Sequence, residues 1–261
     1  MTINLLIISI ILIYGLLIGS FLNVCIYRIP LGVSLSKSRS HCMGCGKPLR
    51  NRDLIPVVSY LLLKGRCRNC STKISIQYPL IELLNGVIYI AIFLIRGLPG
   101  VAEQSLNYHL TTIVFCFTAS ALIVLSVIDF RIYEIPEKIN LFLLVAGLIR
   151  MGLDYHNWGL YLIGFFCVSG FLYLIYVLSK GKAIGGGDIK LMAVAGLIVG
   201  WKNILLALFL GCLLGSILHI LRMKIKHADR MLAMGPYLSA GIFIAMLFGD
   251  QLVSWYLRLL L

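Results

Sequence analysis

Long apolar runs separated by short polar segments dominate the chain. About 20 apolar residues are needed to cross roughly 30 Å of bilayer hydrocarbon as an α-helix. Eight runs approach this length, although some are short or interrupted by glycine, and they cover residues 3–26, 79–97, 108–129, 137–153, 158–179, 188–201, 203–221 and 234–256. The pattern predicts an all-α polytopic membrane protein with about eight transmembrane helices.

Composition excludes an ordinary water-soluble globule. The 261 residues are 60% hydrophobic and only 13% charged, with a mean hydropathy of +0.98. Soluble domains are about 45–50% apolar and about 25% charged. The first apolar run has no basic residue before it and no A-x-A-like cleavage site after it. We therefore expect a retained helix there, not a cleaved signal peptide.

The basic residues indicate how the chain lies in the membrane. The formal net charge is +13, and ten of the 23 Lys and Arg residues fall in residues 27–78, a polar stretch with Asp53 as its single acid. The positive-inside rule places this stretch in the cytoplasm. Eight helices then put 19 of the 23 basic residues inside and both termini outside. A nucleic-acid patch is the alternative, but topology and anionic lipid headgroups already account for these charges, so we expect no nucleic-acid partner.

Two C-x-x-C pairs lie in the polar stretch, with 21 residues between them. Each pair places two thiolates on one turn, and two such turns make a tetrahedral S4 site suited to zinc. The predicted ligands are Cys42, Cys45, Cys67 and Cys70. Two disulfides or a redox dithiol are the alternatives, although a reducing cytoplasm disfavours stable disulfides. The other cysteines lie in apolar runs, and we expect them to pack in the core; they are Cys25, Cys116, Cys167 and Cys212.

Two acids stand at the ends of apolar runs. Asp129 ends the third run and Asp188 begins the sixth, and the topology places both at cytoplasmic ends. Two carboxyl groups at close range share a proton, so one can activate a water while the other protonates a carbonyl oxygen. This chemistry suits peptide-bond hydrolysis. The alternatives are that Asp188 is the N-cap of a helix after a glycine turn and that Asp129 is an interfacial charge beside Arg131.

Two other classes of protein fit parts of the pattern. A transporter could bind a cation on the two aspartates near broken helices, but it would usually carry acids nearer the bilayer midplane and internal repeats, neither of which is evident. A zinc-ribbon membrane scaffold without catalysis would use the four cysteines and tolerate loss of both aspartates.

Several long motifs follow one another along nearly the whole chain. They are Gly19-Ser20-Phe21-Leu22-Asn23-Val24-Cys25-Ile26-Tyr27-Arg28-Ile29-Pro30, the two C-x-x-C pairs, Tyr78-Pro79-Leu80-Ile81-Glu82-Leu83, Gly185-Gly186-Gly187-Asp188-Ile189-Lys190-Leu191 and Met234-Gly235-Pro236-Tyr237. In this order they closely resemble the type IV prepilin peptidases. The resemblance implies a polytopic aspartic protease of the G-x-G-D type. Such an enzyme removes short basic leaders from prepilins or pseudopilins at the cytoplasmic face of the bacterial inner membrane.

The resemblance also implies site residues and a second activity. The catalytic aspartates of the family fall on Asp129 and Asp188. Many members then methylate the new N-terminal amine with S-adenosylmethionine, a capacity associated with the N-terminal part and its four-cysteine loop. The implied division is an N-terminal region, residues 1–106, that contains the zinc-binding loop 27–78, followed by a six-helix peptidase domain, residues 107–261. One departure lies in the turn that follows Asp129. Members often carry the sequence Leu-Pro-Asp there, whereas this chain has Ile135-Pro136-Glu137.

Residues for methyl transfer are less sharply defined by the sequence. Glu82 opens the second apolar run, where it either orients the amine or the cofactor, or favours the helix N-terminus through the macrodipole. Gly19, Ser20 and Asn23 either contact the cofactor or allow close packing of the first helix, and close packing is the default expectation. Arg28 either binds a carboxylate or faces lipid headgroups.

Overall fold

The structure is a computed structural model that describes residues 2–36, 39–99, 105–226 and 232–260. The chain divides into two compact units, Met1–Glu103 and Gln104–Leu261. Across the described ranges the secondary structure is helical, with two isolated β-bridges and no β-strand. The all-α prediction is therefore confirmed for these ranges. Both chain ends, Met1 and Leu261, lie outside the described residues, as do Lys37 and Arg230 from the predicted cytoplasmic charges.

The first unit is a pair of long helices with a polar loop between them. Its elements are α1 (Thr2–Arg28), a 3-10 helix (Asn51–Leu54), α2 (Val58–Leu62) and α3 (Gln77–Arg96). α1 and α3 pack against each other, and a Cβ atom on Gly19 would lie only 2.7 Å from Cα of Glu82. The missing side chain lets the two backbones approach, so the expectation of close packing at Gly19 is confirmed.

The second unit is a bundle of six helices built around a short central one. They are α4 (Leu106–Ile132), α5 (Glu137–Leu153), α6 (Trp158–Leu178), α7 (Gly186–Val199), α8 (Trp201–Lys226) and α9 (Gly235–Leu260), with a 3-10 turn at Tyr155–Asn157. α7 packs against α5, α6, α8 and α9, and every residue from 191 to 198 is buried. A helix surrounded in this way keeps no face for lipid, and its apolar sequence serves the bundle core.

Six helices in the described ranges are long and apolar enough to cross a membrane. These candidate spans are Asn4–Arg28, Gln77–Arg96, Leu106–Ile132, Tyr155–Leu178, Trp201–Leu221 and Gly235–Leu259. All eight predicted apolar runs are helical, but α5 has 17 residues and α7 has 14. At 1.5 Å per residue α7 is about 21 Å long, shorter than the hydrocarbon core. The prediction of eight spans is therefore not confirmed by helix length.

The cysteines outside the polar loop differ in their burial. Cys25 and Cys116 are buried, as predicted for core residues, and Cys167 is half-buried. Cys212 is exposed on α8, so the expectation that it packs in the core is wrong. An apolar run in a membrane protein does not distinguish a side chain that faces lipid from one that faces neighbouring helices, because both surroundings are apolar.

Candidate active site and metal centre

Asp129 lies in the last turn of α4. The helix ends because Tyr133 adopts a left-handed conformation (φ 58°, ψ 31°) at its C-cap. The Asp129 side chain is buried, and its Oδ2 accepts a hydrogen bond of 2.8 Å from the N–H of Gly235 at the start of α9. This contact was not predicted from the sequence, because the two residues are 106 positions apart along the chain.

Asp188 lies in the first turn of α7. The helix begins at Gly186, Gly185 is the N-cap residue, and no side-chain capping bond is formed there. Asp188 is therefore not the N-cap, contrary to one of the alternatives above. Its half-buried carboxylate lies close enough to Asp129 for the two charges to interact. The bundle thus brings together two acids that belong to α4 and α7.

The glycines before Asp188 meet different surroundings. A Cβ atom on Gly185 would lie 3.2 Å from Oδ2 of Asp188, and one on Gly187 would lie 2.9 Å from Cβ of Ile135. A Cβ atom on Gly186 would meet no atom within 4 Å. A side chain at Gly185 would therefore crowd Asp188, and one at Gly187 would crowd the α4–α5 connection. A side chain at Gly186 would meet no such neighbour.

Glu137, the residue at which the chain departs from the family pattern, begins α5. Its carboxylate forms an ion pair with Nζ of Lys190 in the first turns of α7. Both side chains are exposed. The longer acid therefore links the starts of α5 and α7.

Two further acids of the second unit have hydrogen-bond partners of their own. Asp154 follows the C-terminal end of α5, where its Oδ2 accepts the hydroxyl of Tyr161 at 2.7 Å. Asp250 accepts a bond of 3.0 Å from Nδ2 of Asn203. Tyr161 and Asn203 lie near the starts of α6 and α8, and neither of these helix ends carries an aspartate of the pair.

The four cysteines of the polar loop form one cluster. The sulfur atoms of Cys42, Cys45, Cys67 and Cys70 all lie within 4.8 Å of one another. Cys42 and Cys70 have their Sγ atoms 3.7 Å apart. Zinc–sulfur bonds of about 2.3 Å in a tetrahedron separate the sulfurs by about 3.8 Å. The donor set could therefore hold a metal ion, and no disulfide joins any of the eight cysteines.

The two C-x-x-C turns share one backbone pattern. In each turn, the first cysteine donates its N–H to the carbonyl of the residue two positions after the second cysteine. The carbonyl of the first cysteine accepts the N–H of the residue directly after the second cysteine. The bonds, written donor to acceptor, are Cys42 to Lys47 and Gly46 to Cys42 in the first turn, and Cys67 to Thr72 and Ser71 to Cys67 in the second. The residue after the second cysteine has a positive φ in both turns, 67° at Gly46 and 57° at Ser71. This repetition presents two pairs of sulfur atoms in matching geometry.

Local donors favour the thiolate form of two cysteines. The Thr72 hydroxyl, 3.2 Å from Sγ of Cys70, and the Thr72 N–H lower the pKa of the Cys70 thiol to about 6. The backbone N–H groups of Cys45 and Gly44 lower the pKa of Cys42, and the Gly44 nitrogen lies 3.4 Å from its sulfur. Thiolate is the form that binds metal ions.

A cavity of about 370 Å³ lies within the first unit, beside the cysteine cluster. Its walls come from the end of α1, the polar loop and the start of α3, and include Asn23, Tyr60, Tyr78 and Glu82. Asn23 donates from Nδ2 to the carbonyl of Tyr78 at 3.1 Å, whereas its buried Oδ1 has no partner within the described residues. A buried acceptor without a donor is unfavourable unless a ligand or water supplies one.

Glu82 connects the polar loop to α3 by a hydrogen bond. Its buried carboxylate accepts the N–H of Val57 at 2.7 Å and the hydroxyl of Ser20. Val57 has φ 60° and ψ −50°, a conformation that is unfavourable for a β-branched residue and that this bond stabilises. Glu82 does not lie in the first turn of α3, so the macrodipole alternative is wrong.

Arg28, at the end of α1, is buried. Its Nη1 donates to the carbonyl oxygens of Ser34 and Leu35 at 3.2 and 3.1 Å. The guanidinium therefore stabilises the turn that follows α1, and the alternative of an arginine that faces lipid headgroups is wrong.

The fold and these sites define a class, a multi-pass α-helical membrane protein with a paired-aspartate site and a four-cysteine loop. Residues 13–95 match the Bacterial Peptidase A24 N-terminal domain, and residues 116–220 match the Type IV leader peptidase family. A Prepilin leader peptidase/N-methyltransferase from Bacillus subtilis (strain 168) is 35% identical over 97% of this chain and 99% of that protein.

Other relatives give the same result. Proteins with the same name from Aeromonas hydrophila and Neisseria gonorrhoeae are 32% and 33% identical, over 95% and 93% of this chain and 93% and 92% of their own lengths. No solved structure matches the chain significantly. The chain belongs to the prepilin leader peptidase family, and the resemblance stated from its motifs is confirmed.

Proposed function

We propose that this protein removes the leader from prepilins or pseudopilins and then methylates the new N-terminal amine. The observation that carries the peptidase proposal is the meeting of Asp129 and Asp188 at the ends of α4 and α7. Relatives over nearly the full chain carry the name of both activities. The proposed location is the bacterial inner membrane, with the active site at the cytoplasmic face and both termini outside.

The proposed hydrolysis uses the two aspartates as a pair that shares one proton. The ionised carboxylate takes a proton from a water, whose oxygen bonds to the scissile carbonyl carbon, while the protonated carboxyl gives its proton to the carbonyl oxygen. The C–N bond then breaks. The leaving amine takes the proton from the first carboxyl group, and a hydroxyl of the intermediate returns a proton to the second.

We propose that the scissile bond of the substrate reaches the ends of α4 and α7 that carry the pair. The apolar helix of the prepilin would lie in the membrane beside the bundle, with its basic leader in the cytoplasm. The many basic residues of the polar loop would then share the cytoplasmic face with the leader, so recognition of the leader by charge attraction to this loop is not expected.

The four cysteines are proposed to hold a structural zinc ion. The fit rests on four sulfur donors within 4.8 Å of one another and on thiolates stabilised by neighbouring N–H and hydroxyl groups. Four protein ligands leave no coordination position for water, so the ion would fold the loop and not act on substrate. We expect one zinc ion per chain, lost when Cys42 is replaced by serine.

The cavity of the first unit is proposed as the methyl-transfer site. Its volume of about 370 Å³ lies in the range of small-molecule sites, roughly 300–1,000 Å³. S-adenosylmethionine, when bound, would supply an electrophilic methyl group. Asn23 offers a buried acceptor that needs a donor, and Glu82 offers a carboxylate that can orient the amine or the cofactor. The division into residues 1–106 for methyl transfer and 107–261 for proteolysis is part of this proposal.

Mass spectrometry of a prepilin peptide incubated with the purified protein and S-adenosylmethionine tests both activities. We expect loss of the leader and gain of one methyl group. Asp129→Asn and Asp188→Asn should each slow cleavage by about 100- to 10,000-fold, the usual contribution of acid–base groups, without loss of zinc. Asp154→Asn is the matched control, since its partners lie elsewhere. Cleavage at the wild-type rate by Asp188→Asn would contradict the aspartate pair.

A pre-cleaved pilin peptide separates the second activity from the first. Glu82→Gln keeps an acceptor for the Val57 N–H but removes the negative charge, so it should slow methylation and leave cleavage unchanged. Asn23→Leu should raise the concentration of S-adenosylmethionine needed for half-maximal methylation. Unchanged methylation in both variants would exclude this cavity as the methyl-transfer site.

A further inference from the structure

The carboxylate of Asp129 accepts a hydrogen bond from α9, a helix that carries neither Asp129 nor Asp188. α9 begins at Gly235, and the Gly235 N–H donates to Oδ2 of Asp129 in a buried position. The first N–H groups of a helix have no acceptor within that helix. A side chain from α4 supplies the acceptor here, so the bond joins α9 directly to a proposed reacting group.

The same contact leaves no space for a side chain at position 235. A Cβ atom on Gly235 would lie 2.7 Å from Oδ2 of Asp129 and 3.0 Å from both its Cβ and its Cγ. Cβ atoms essentially never approach other atoms within 3.0 Å, so an alanine would force something to move. The nearest atoms belong to the short, buried Asp129 side chain, which has little freedom to turn away.

The residues next to Gly235 fix the direction of its N–H. The carbonyl of Met234 accepts the N–H groups of Tyr237 and Leu238 at 3.1 and 3.0 Å, which closes the first turn of α9. Pro236 has no N–H, and its restricted φ suits this first turn. The Gly-Pro pair therefore presents a backbone donor in a fixed direction with no side chain in front of it.

We propose that Gly235 is a positioning residue for the peptidase reaction. Its N–H sets the orientation of the Asp129 carboxylate relative to Asp188, and its missing side chain provides the space that this carboxylate occupies. The inference rests on the proposed function of the aspartate pair. Reacting groups must be held within about 0.5 Å of their productive geometry, and a displacement of about 1 Å can cost about 100-fold in rate.

The test is the kinetics of the full-length Gly235→Ala variant. We expect kcat for leader cleavage to fall by about 100-fold, whereas KM for the prepilin stays within about twofold, because the change misplaces a reacting group and removes no substrate contact. Methylation of a pre-cleaved pilin peptide should stay at the wild-type level, since the cavity proposed for it is lined by residues of the first unit.

Gly211→Ala is the matched control for general packing between α8 and α9. A Cβ atom there would lie 3.0 Å from Cδ2 of Leu238, one turn beyond Gly235 on α9. We expect this variant to lower the melting temperature of the protein but to keep kcat within about threefold of wild type. Melting temperatures of both variants, measured in the same detergent, compare their effects on folding.

Three results would overturn the assignment of Gly235. They are a kcat for Gly235→Ala near that of wild type, an equal loss of kcat in Gly211→Ala, and a loss of methylation together with cleavage in Gly235→Ala. A wild-type protein that cleaves no prepilin would instead overturn the proposed function, and this inference with it.

Discussion

At the scale of single residues, the lowered pKa of the Cys70 thiol predicts how this cysteine reacts with an alkylating reagent. Its pKa, lowered from 9.0 to about 6 by the Thr72 hydroxyl, means that the thiolate dominates at pH 7 and is lost as the pH falls through about 6. Cys70 is also exposed. In metal-free protein we expect Cys70 to react rapidly with iodoacetamide at pH 7, with a midpoint of reactivity near pH 6.

Peptide mapping by mass spectrometry after brief alkylation measures this midpoint. Thr72→Val removes the hydroxyl donor and should move the midpoint upward, toward the ordinary value of 9.0. Added zinc should protect Cys70, because the bound sulfur is no longer available to the reagent. An equal midpoint in the wild-type protein and in Thr72→Val would show that the Thr72 hydroxyl does not stabilise the Cys70 thiolate.

At the scale of elements, the long helices were predictable and the small ones were not. The observed α4, Leu106–Ile132, extends only a few residues beyond the predicted run 108–129, because length and apolarity decide a helix of this kind. α2 has five residues in a polar loop, and no periodic pattern indicates so short a helix. Its start depends on the bond from Val57 to Glu82, which only the tertiary structure provides.

The candidate sites also contain features that were predictable from the sequence and features that were not. The C-x-x-C spacing predicts a four-sulfur cluster because each pair is a local turn. Pairing of Asp129 with Asp188 followed from topology, since both acids were placed at the same membrane face. Gly235 belonged to a motif without an assigned role, because a contact between a backbone N–H and a distant side chain leaves no signal in a single sequence.

The contact between the α4–α5 connection and the start of α7 explains the spacing of the glycines and can be tested. A Cβ atom on Gly187 would press against Cβ of Ile135 at 2.9 Å, so Gly187→Ala should displace the start of α7 and slow leader cleavage by about 100-fold. Gly186→Ala meets no atom within 4 Å and should keep the wild-type rate. Initial cleavage rates compare the two, and equal losses would contradict this account.

At the scale of the whole molecule, helix contacts in the second unit bear on how many helices cross the membrane. The ion pair between Glu137 and Lys190 places the starts of α5 and α7 on one side. Asp154, after the end of α5, bonds to Tyr161 near the start of α6. A Cβ atom on Gly200, just after α7, would come within 3.9 Å of the Tyr161 ring. The far ends of α5 and α7 therefore meet the same end of α6.

We propose from this geometry that eight helices cross the membrane, although within the described ranges only six are long enough by themselves. α6 is a candidate span, so its two ends should lie on opposite sides of the membrane, and α5 and α7 should each cross beside it. Because α7 is enclosed by other helices, its length of about 21 Å does not have to match the bilayer. We expect His156→Cys to react with a membrane-impermeant maleimide from outside, and Lys138→Cys only after permeabilisation. Absence of labelling at His156→Cys in intact spheroplasts would contradict the eight-helix topology.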